Sequence, residues 1–171
     1  MIRLLLWDLG DTVMRDDPDM PGMMCDWEHV EWIPGAEAAL IRLSPEIPCV
    51  IATNPGQSDT PAVIRALQRV GADKYFTDFF SAKDIGFEKP DPRFFLTIAE
   101  RTGIAAADCA MIGNNYKKDI EGAHIAGMKT VFFNEDAVNG DYPDADAIIH
   151  RMDELPEAIA RLKDKKTGAA L

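Results

Sequence analysis

The chain has 171 residues, 47% apolar and 27% charged, from which one domain with a substantial core, and no second full domain, is expected. Its 18 basic against 29 acidic residues give a formal net charge of -11, which repels a nucleic-acid backbone and excludes the clustered basic surface that DNA or RNA binding needs. Cys25, Cys49 and Cys109 lie far apart without paired metal-ligand spacing, so neither a disulfide framework nor a zinc site is expected, and the reading is of a reduced, cytoplasmic protein.

The first apolar run, Ile2 to Trp7, reads as a buried parallel strand. It is too short for a signal-peptide core or a membrane span, and Asp8 ends it, so neither export nor a membrane partner is expected. Asp8-Leu-Gly-Asp-Thr12 then sets a carboxylate at the strand tip with a glycine turn behind it. Such a carboxylate can attack phosphorus, although in isolation an Asp after a strand is more often a turn or helix cap. Residues 14–32, with acids at Asp16, Asp17 and Asp19, are predicted as an irregular loop or minimal lid. The loop would emerge at the carboxyl edge of the sheet, where open α/β folds place ligands, with Met23, Met24, Trp27 and Trp32 packing it onto the body.

Pro34 precedes a predicted helix from Gly35 to Leu43. A strand from Cys49 to Ala52 runs into Thr53 and Asn54, and a helix from Asp59 to Val70 stops at Gly71. Glu88-Lys-Pro-Asp91 brings Lys89 to the start of a helix from Pro92 to Thr102, closed by Gly103. The strand Cys109 to Ile112 leads through Gly113-Asn-Asn-Tyr-Lys-Lys to Asp119, and a helix from Lys117 to Ala126 follows, with Gly127 at the left-handed C-cap. Strands at Thr130 to Phe133 and Ala147 to Ile149, a helix from Asp153 to Leu162 and a frayed basic tail over 164–171 complete the chain. Alternating strands and helices predict a single α/β domain over 1–163, a Rossmann-like three-layer sandwich with a mostly parallel central sheet.

Each later strand ends beside a group with chemistry to offer. Thr53 brings a hydroxyl and Asn54 an amide that could bind phosphate, Lys89 a cation, and Asp119 an acid that could hold a metal. Each has a bland alternative: Thr53 as a turn cap, Lys89 as a solvated charge, Asp119 as an acid favouring a helix N-terminus. Together with Asp8 they make four pieces in order, which chance rarely supplies.

This ordered set resembles the four motifs of the haloacid dehalogenase superfamily, from Leu4 to Phe133. The resemblance implies that Asp8 forms an aspartyl-phosphate, that Thr53 and Asn54 bind the transferring phosphoryl group, and that Lys89 neutralises its charge. It implies Mg2+ held by Asp8, the Gly10 carbonyl and Asp119. Two departures stand out. The family's phosphatases usually carry a general acid and base two residues after the nucleophile, where this chain has Gly10, and Asp11 is the candidate to take over that role. Asn114 stands where the fourth motif often has the first of two acids, and its amide oxygen can ligate the metal or a bound water more weakly.

Asp8 and Thr53 are 45 positions apart and Thr53 and Lys89 are 36 apart, which leaves no space for a large cap domain. The chain therefore resembles the capless branch, whose open cleft takes a large substrate, or a small one enclosed by a partner subunit of a homo-oligomer or by the loop at 14–32. The function expected is that of a magnesium-dependent phosphatase acting on a phosphorylated substrate. The alternative, suggested by Gly10 and Asn114, is a weak or inactive phosphate-binding or scaffolding protein. His124 and His150 read as structural or surface residues, and His29, in the loop at 14–32, is the histidine worth testing.

Overall fold

The computed structural model describes residues 1–164, so the tail expected over 164–171 lies, beyond Asp164, outside the described residues. Its strands are β1 (Leu4–Trp7), β2 (Cys49–Thr53), β3 (Asp78–Ser81), β4 (Cys109–Gly113), β5 (Lys129–Phe133) and β6 (Ala147–Ile149). They pair in parallel in the order β3-β2-β1-β4-β5-β6. Successive side chains of a strand point to opposite faces. Leu5, Trp7, Cys49, Ile51, Ala110 and Ile112 therefore feed one core, while Leu4, Leu6, Val50, Ala52, Cys109 and Met111 feed the other. That double coverage is why these segments are unbroken apolar runs rather than alternating ones.

Helices α1 (Ala36–Leu43), α2 (Thr60–Val70) and α6 (Leu155–Asp164) supply the first core, through Leu40, Leu67 and Ile159 among others. The short α3 (Ala82–Ile85), α4 (Pro92–Thr102) and α5 (Gly122–Ile125) supply the second, through Ile85, Phe94, Phe95 and Ala123. Asp59 and Asp91 fix where α2 and α4 begin, accepting the backbone N–H of Ala62 at 2.8 Å and of Arg93 at 2.9 Å. None of the described helices is long and apolar enough to cross a membrane.

Two elements differ from the sequence reading. β3 is an edge strand that was not anticipated: it pairs with β2 alone, its first residue is exposed, and Phe79 and Phe80 are too few to give a periodic signal. The single helix expected from Lys117 to Ala126 is a π-helical segment, Tyr116–Glu121, followed by α5. Its wider turn carries Asp119 and Ile120 both inward, to 1% and 0% exposure, and such turns concentrate at functional sites.

The strand order reverses at β1, which has β2 on one side and β4 on the other, so the crevice of this sheet opens at the carboxyl end of β1. The segment after it is tied down at both ends, for Met14 is fully buried and bridges to Gly10 and to Trp32. Between them the chain lies along α2. The Arg69 guanidinium donates to the carbonyls of Cys25 at 3.4 Å, Glu28 at 3.0 Å and Trp27, and the Trp32 indole N–H donates to the Val70 carbonyl at 3.2 Å. Trp27 is buried, and Met24 and Trp32 pack against the core. Arg69→Ala is expected to free the segment around residues 24–29 and to leave the sheet intact. Amide exchange there should speed up about tenfold, equal to ~1.4 kcal/mol of local stability, while the urea midpoint barely moves.

Candidate active site

At the carboxyl ends of β1, β2 and β4 the chain opens a cleft of about 600 Å³. Asp8 follows β1 directly, and its N–H donates to the Ile112 carbonyl at 2.9 Å, so the pairing of β1 with β4 also fixes the backbone of Asp8. Thr53 ends β2, is 4% exposed and lines the cleft, and its hydroxyl has no hydrogen-bond partner among the described residues. Lys89 comes from the loop before α4 and Asp119 from the π-helical segment after β4.

Lys89 joins the pieces. Its ammonium donates to Asp8 Oδ1 at 2.7 Å, Asp119 Oδ1 at 2.7 Å and the Ala52 carbonyl at 2.9 Å, which uses all three of its protons. Burial opposes the charge on Lys89, but the Asp119 and Asp8 carboxylates outweigh it and hold its pKa above the ordinary lysine value. Burial and then the charge of Asp8 push the Asp119 carboxyl above the usual carboxylate range, against the pull of Lys89. Two carboxylates and one ammonium leave the cluster net negative. That favours a further cation.

Asn54 lines the cleft, and its side chain also ties the Lys89 loop to the sheet. Its Nδ2 donates to the Lys89 carbonyl at 2.9 Å and its Oδ1 accepts the Lys89 N–H at 3.0 Å, so the amide clamps the Lys89 backbone to the end of β2. Asp119 has a second anchor, the N–H of Asn115 on its Oδ2 at 3.0 Å. Asn115 carried no signal in the sequence beyond its place in the turn. The carboxylate of Asp119 also needs Gly113 to be bare, because a β-carbon there would overlap it. Gly113→Ala should therefore displace Asp119 from Lys89, costing ~1–3 kcal/mol in urea unfolding and about 10²-fold in turnover through misplacement of the cluster.

Asp11 and Asn114 both line the cleft. Asp11 has a left-handed backbone (φ 54°), and its Oδ1 accepts the Asp16 N–H at 3.1 Å and faces Arg15 at 3.5 Å, while Arg15 holds Glu135 through two hydrogen bonds. Its carboxylate thus braces the loop. Gly10 has no left-handed φ, and the space that a side chain there would enter holds Asp16, whose Oδ2 lies 3.1 Å from the position of a Gly10 β-carbon. Asp16 is exposed as a residue, yet hydration lost within the cleft, together with the charges of Asp11, Asp8 and Asp17, raises its pKa against the Asp17 N–H that it accepts. Sequence reading placed Asp16 only in an acidic cluster of the loop. His29 is exposed beside Glu28, does not line the cleft and has no place in the site.

The donors available to a metal are all oxygens: the Asp8 and Asp119 carboxylates, the Gly10 carbonyl, to which no described residue hydrogen-bonds, and the Asn114 amide oxygen, which accepts from Thr12 at 3.4 Å. Among the described residues no three His, Cys, Asp or Glu side chains converge on one point. The protein contributes few charged ligands here, a donor set that fits Mg2+, which keeps several of its waters.

The family model described as haloacid dehalogenase-like hydrolase matches residues 2–127. The glyceraldehyde 3-phosphate phosphatase of Methanopyrus kandleri is 38% identical over 65 residues, which cover 38% of this chain and 28% of that protein. The matches to this enzyme and to two other phosphatases span between 25% and 31% of the relatives' length. Among solved structures, an uncharacterized protein from Listeria monocytogenes serotype 4b superimposes with a TM-score of 0.84 at 22% identity, covering 95% of this chain and 99% of that one. The HAD-hydrolase YfnB of Bacillus subtilis, solved bound to magnesium, gives a TM-score of 0.75 at 19% identity over 91% of this chain and 97% of its own. At those identities the two structures speak for the fold.

Proposed function

Because the chain belongs to the haloacid dehalogenase-like hydrolase family, we propose that it is a magnesium-dependent phosphomonoester hydrolase that works through an aspartyl-phosphate on Asp8. The observation that carries this reading is the Asp8 carboxylate at the switch point of the sheet. It has one oxygen fixed by Lys89 at 2.7 Å and no described hydrogen bond on the other, and it faces a cleft large enough for a small organic phosphate. The phosphatase name of the Methanopyrus relative supports the same class of ester.

In this mechanism the free oxygen of Asp8 attacks phosphorus in line with the ester oxygen. Lys89 holds the other oxygen of Asp8 in place and offsets charge on the phosphoryl oxygens, and the free Thr53 hydroxyl donates to one of them. Asn54 holds the Lys89 backbone in place, and Asp119 holds the lysine side chain from the opposite side. Mg2+ bound by Asp8, the Gly10 carbonyl, Asp119 and Asn114 would offset the negative charge that two carboxylates and a phosphate bring together. Asp17, Met20, Met24 and Trp27 from the loop and Ala62, Val63 and Ala66 from α2 wall the cleft, which favours a small molecule over a folded phosphoprotein.

A reading without turnover draws on Gly10, where the expected acid and base is missing. A panel of phosphomonoesters assayed for phosphate release, with Mg2+ and with EDTA, separates the two. The hydrolase reading expects release that EDTA abolishes. Phosphate binding without release from any ester would leave only the binding protein.

A further inference from the structure

We infer that Asp16 is the catalytic acid and base of this site, reaching from the loop into the space that the Gly10 side chain leaves empty. The inference rests on the phosphatase reading above. Phosphoryl transfer from an alkyl ester needs a group that protonates the leaving oxygen and later takes a proton from water. Gly10 cannot be that group. Asp11 commits its Oδ1 to the Asp16 N–H and to Arg15, and its left-handed backbone makes it the turn that positions Asp16. Asp16 lines the same cleft as Asp8, and its Oδ2 stands 3.1 Å from where a Gly10 β-carbon would be, within a carboxylate's length of the point from which a side chain at position 10 would extend.

The placement is built in several parts. Asp11 turns the chain through a left-handed residue, its carboxylate pins the Asp16 N–H at 3.1 Å, and the Asp17 N–H fixes Asp16 Oδ1 at 2.9 Å, which leaves Oδ2 as the oxygen beside Gly10. A side chain at position 10 and Asp16 in this position compete for one volume, so the glycine and the displaced acid belong together.

In the first half-reaction Asp8 bonds to phosphorus as the P–O ester bond breaks. The electron pair of that bond stays on the leaving oxygen, which takes the proton of the Asp16 carboxylic acid and departs as the alcohol. In the second, the Asp16 carboxylate accepts a proton from water as the water oxygen bonds to phosphorus and the bond to Asp8 breaks. Hydrogen phosphate, the Asp8 carboxylate and protonated Asp16 result, and the cycle closes without another reactant.

The test compares Asp16→Asn with wild type on an alkyl phosphate and on p-nitrophenyl phosphate, whose leaving group departs without a proton. Asp16→Asn should lower kcat/KM for the alkyl ester by ~10²-fold or more and leave kcat/KM for p-nitrophenyl phosphate nearly unchanged. With p-nitrophenyl phosphate kcat should fall, because water now attacks the phosphoenzyme without a base, and phosphate should accumulate on the protein. Asp19→Asn, an exposed loop acid outside the cleft, should change neither ester. Gly10→Asp combined with Asp16→Ala, which clears the volume, should regain alkyl-ester turnover over Asp16→Ala alone. Equal losses on both esters in Asp16→Asn, no loss on either, or a leaving-group-selective loss in Asp11→Asn instead would overturn the assignment while leaving the phosphatase reading in place. A wild type that hydrolyses neither ester overturns both.

Discussion

Asp8→Asn is expected to reduce kcat/KM on every phosphomonoester by at least ~10⁴-fold, or roughly 5.4 kcal/mol of lost transition-state stabilisation. The amide keeps the shape of the side chain and can still accept the Lys89 hydrogen bond that is 2.7 Å long in the native chain. It removes the nucleophile and the charge that would share in holding the metal. The fold should not suffer. With Asp8 neutral, Lys89 and Asp119 form a balanced buried pair in place of a cluster with excess negative charge, so the urea midpoint measured in EDTA should match or exceed that of wild type. A variant that is stable and still turns over at more than a few per cent of the native rate removes Asp8 from the chemistry.

Lys89→Met is expected to have the largest effect on stability. The ammonium is buried between two carboxylates whose side chains are 13% and 1% exposed, and methionine would leave those like charges facing each other with no cation between them. Removing one partner from a buried charged cluster costs ~3–5 kcal/mol, or about 10 °C in Tm for a chain of this size. Activity should be lost with it, since neither Asp8 nor the phosphoryl oxygens retain their counter-charge. Urea unfolding in EDTA measures the cost, and adding Asp119→Asn to Lys89→Met should recover part of it by removing one of the two charges. If Lys89→Met unfolds within ~0.5 kcal/mol of wild type, the lysine does not hold the cluster together.

Sequence was most informative where burial constrains it most. β1, β2, β4 and β5 are covered on both faces, so their residues must be apolar without interruption, and such runs are visible. β3 pairs on one side only and needs just Phe79 and Phe80 to anchor it, which leaves no pattern to find. Asp8 and Thr53 stood out because polar groups at the ends of apolar strands break the pattern, Lys89 and Asp119 because they follow in motif order, and the structure brings all four to one cleft.

What sequence hid is the role of groups whose partners are far along the chain. Asn54 reads as a phosphate ligand, and its clamp on the Lys89 backbone, 35 residues away, has no trace in the sequence. Asp16 reads as one more acid in a solvated loop, because its approach to Gly10 depends on the left-handed turn at Asp11 and on the bridges of Met14 to Gly10 and Trp32. None of these has a periodicity. The helix after β4 was found but not its π-helical turn, since the hydrophobic pattern sets which residues face inward and not the hydrogen-bond step that takes them there.

The central claim is that Asp8 carries the phosphoryl group between the two half-reactions. Rapid mixing of the enzyme with Mg2+ and p-nitrophenyl phosphate, followed by acid quench and peptide mapping by mass spectrometry, tests it most directly. Samples quenched during turnover are expected to carry phosphate on the peptide containing Asp8, and hydroxylamine should discharge it. Steady turnover with no covalent phosphate in the quenched protein, or phosphate on a different residue, would contradict it.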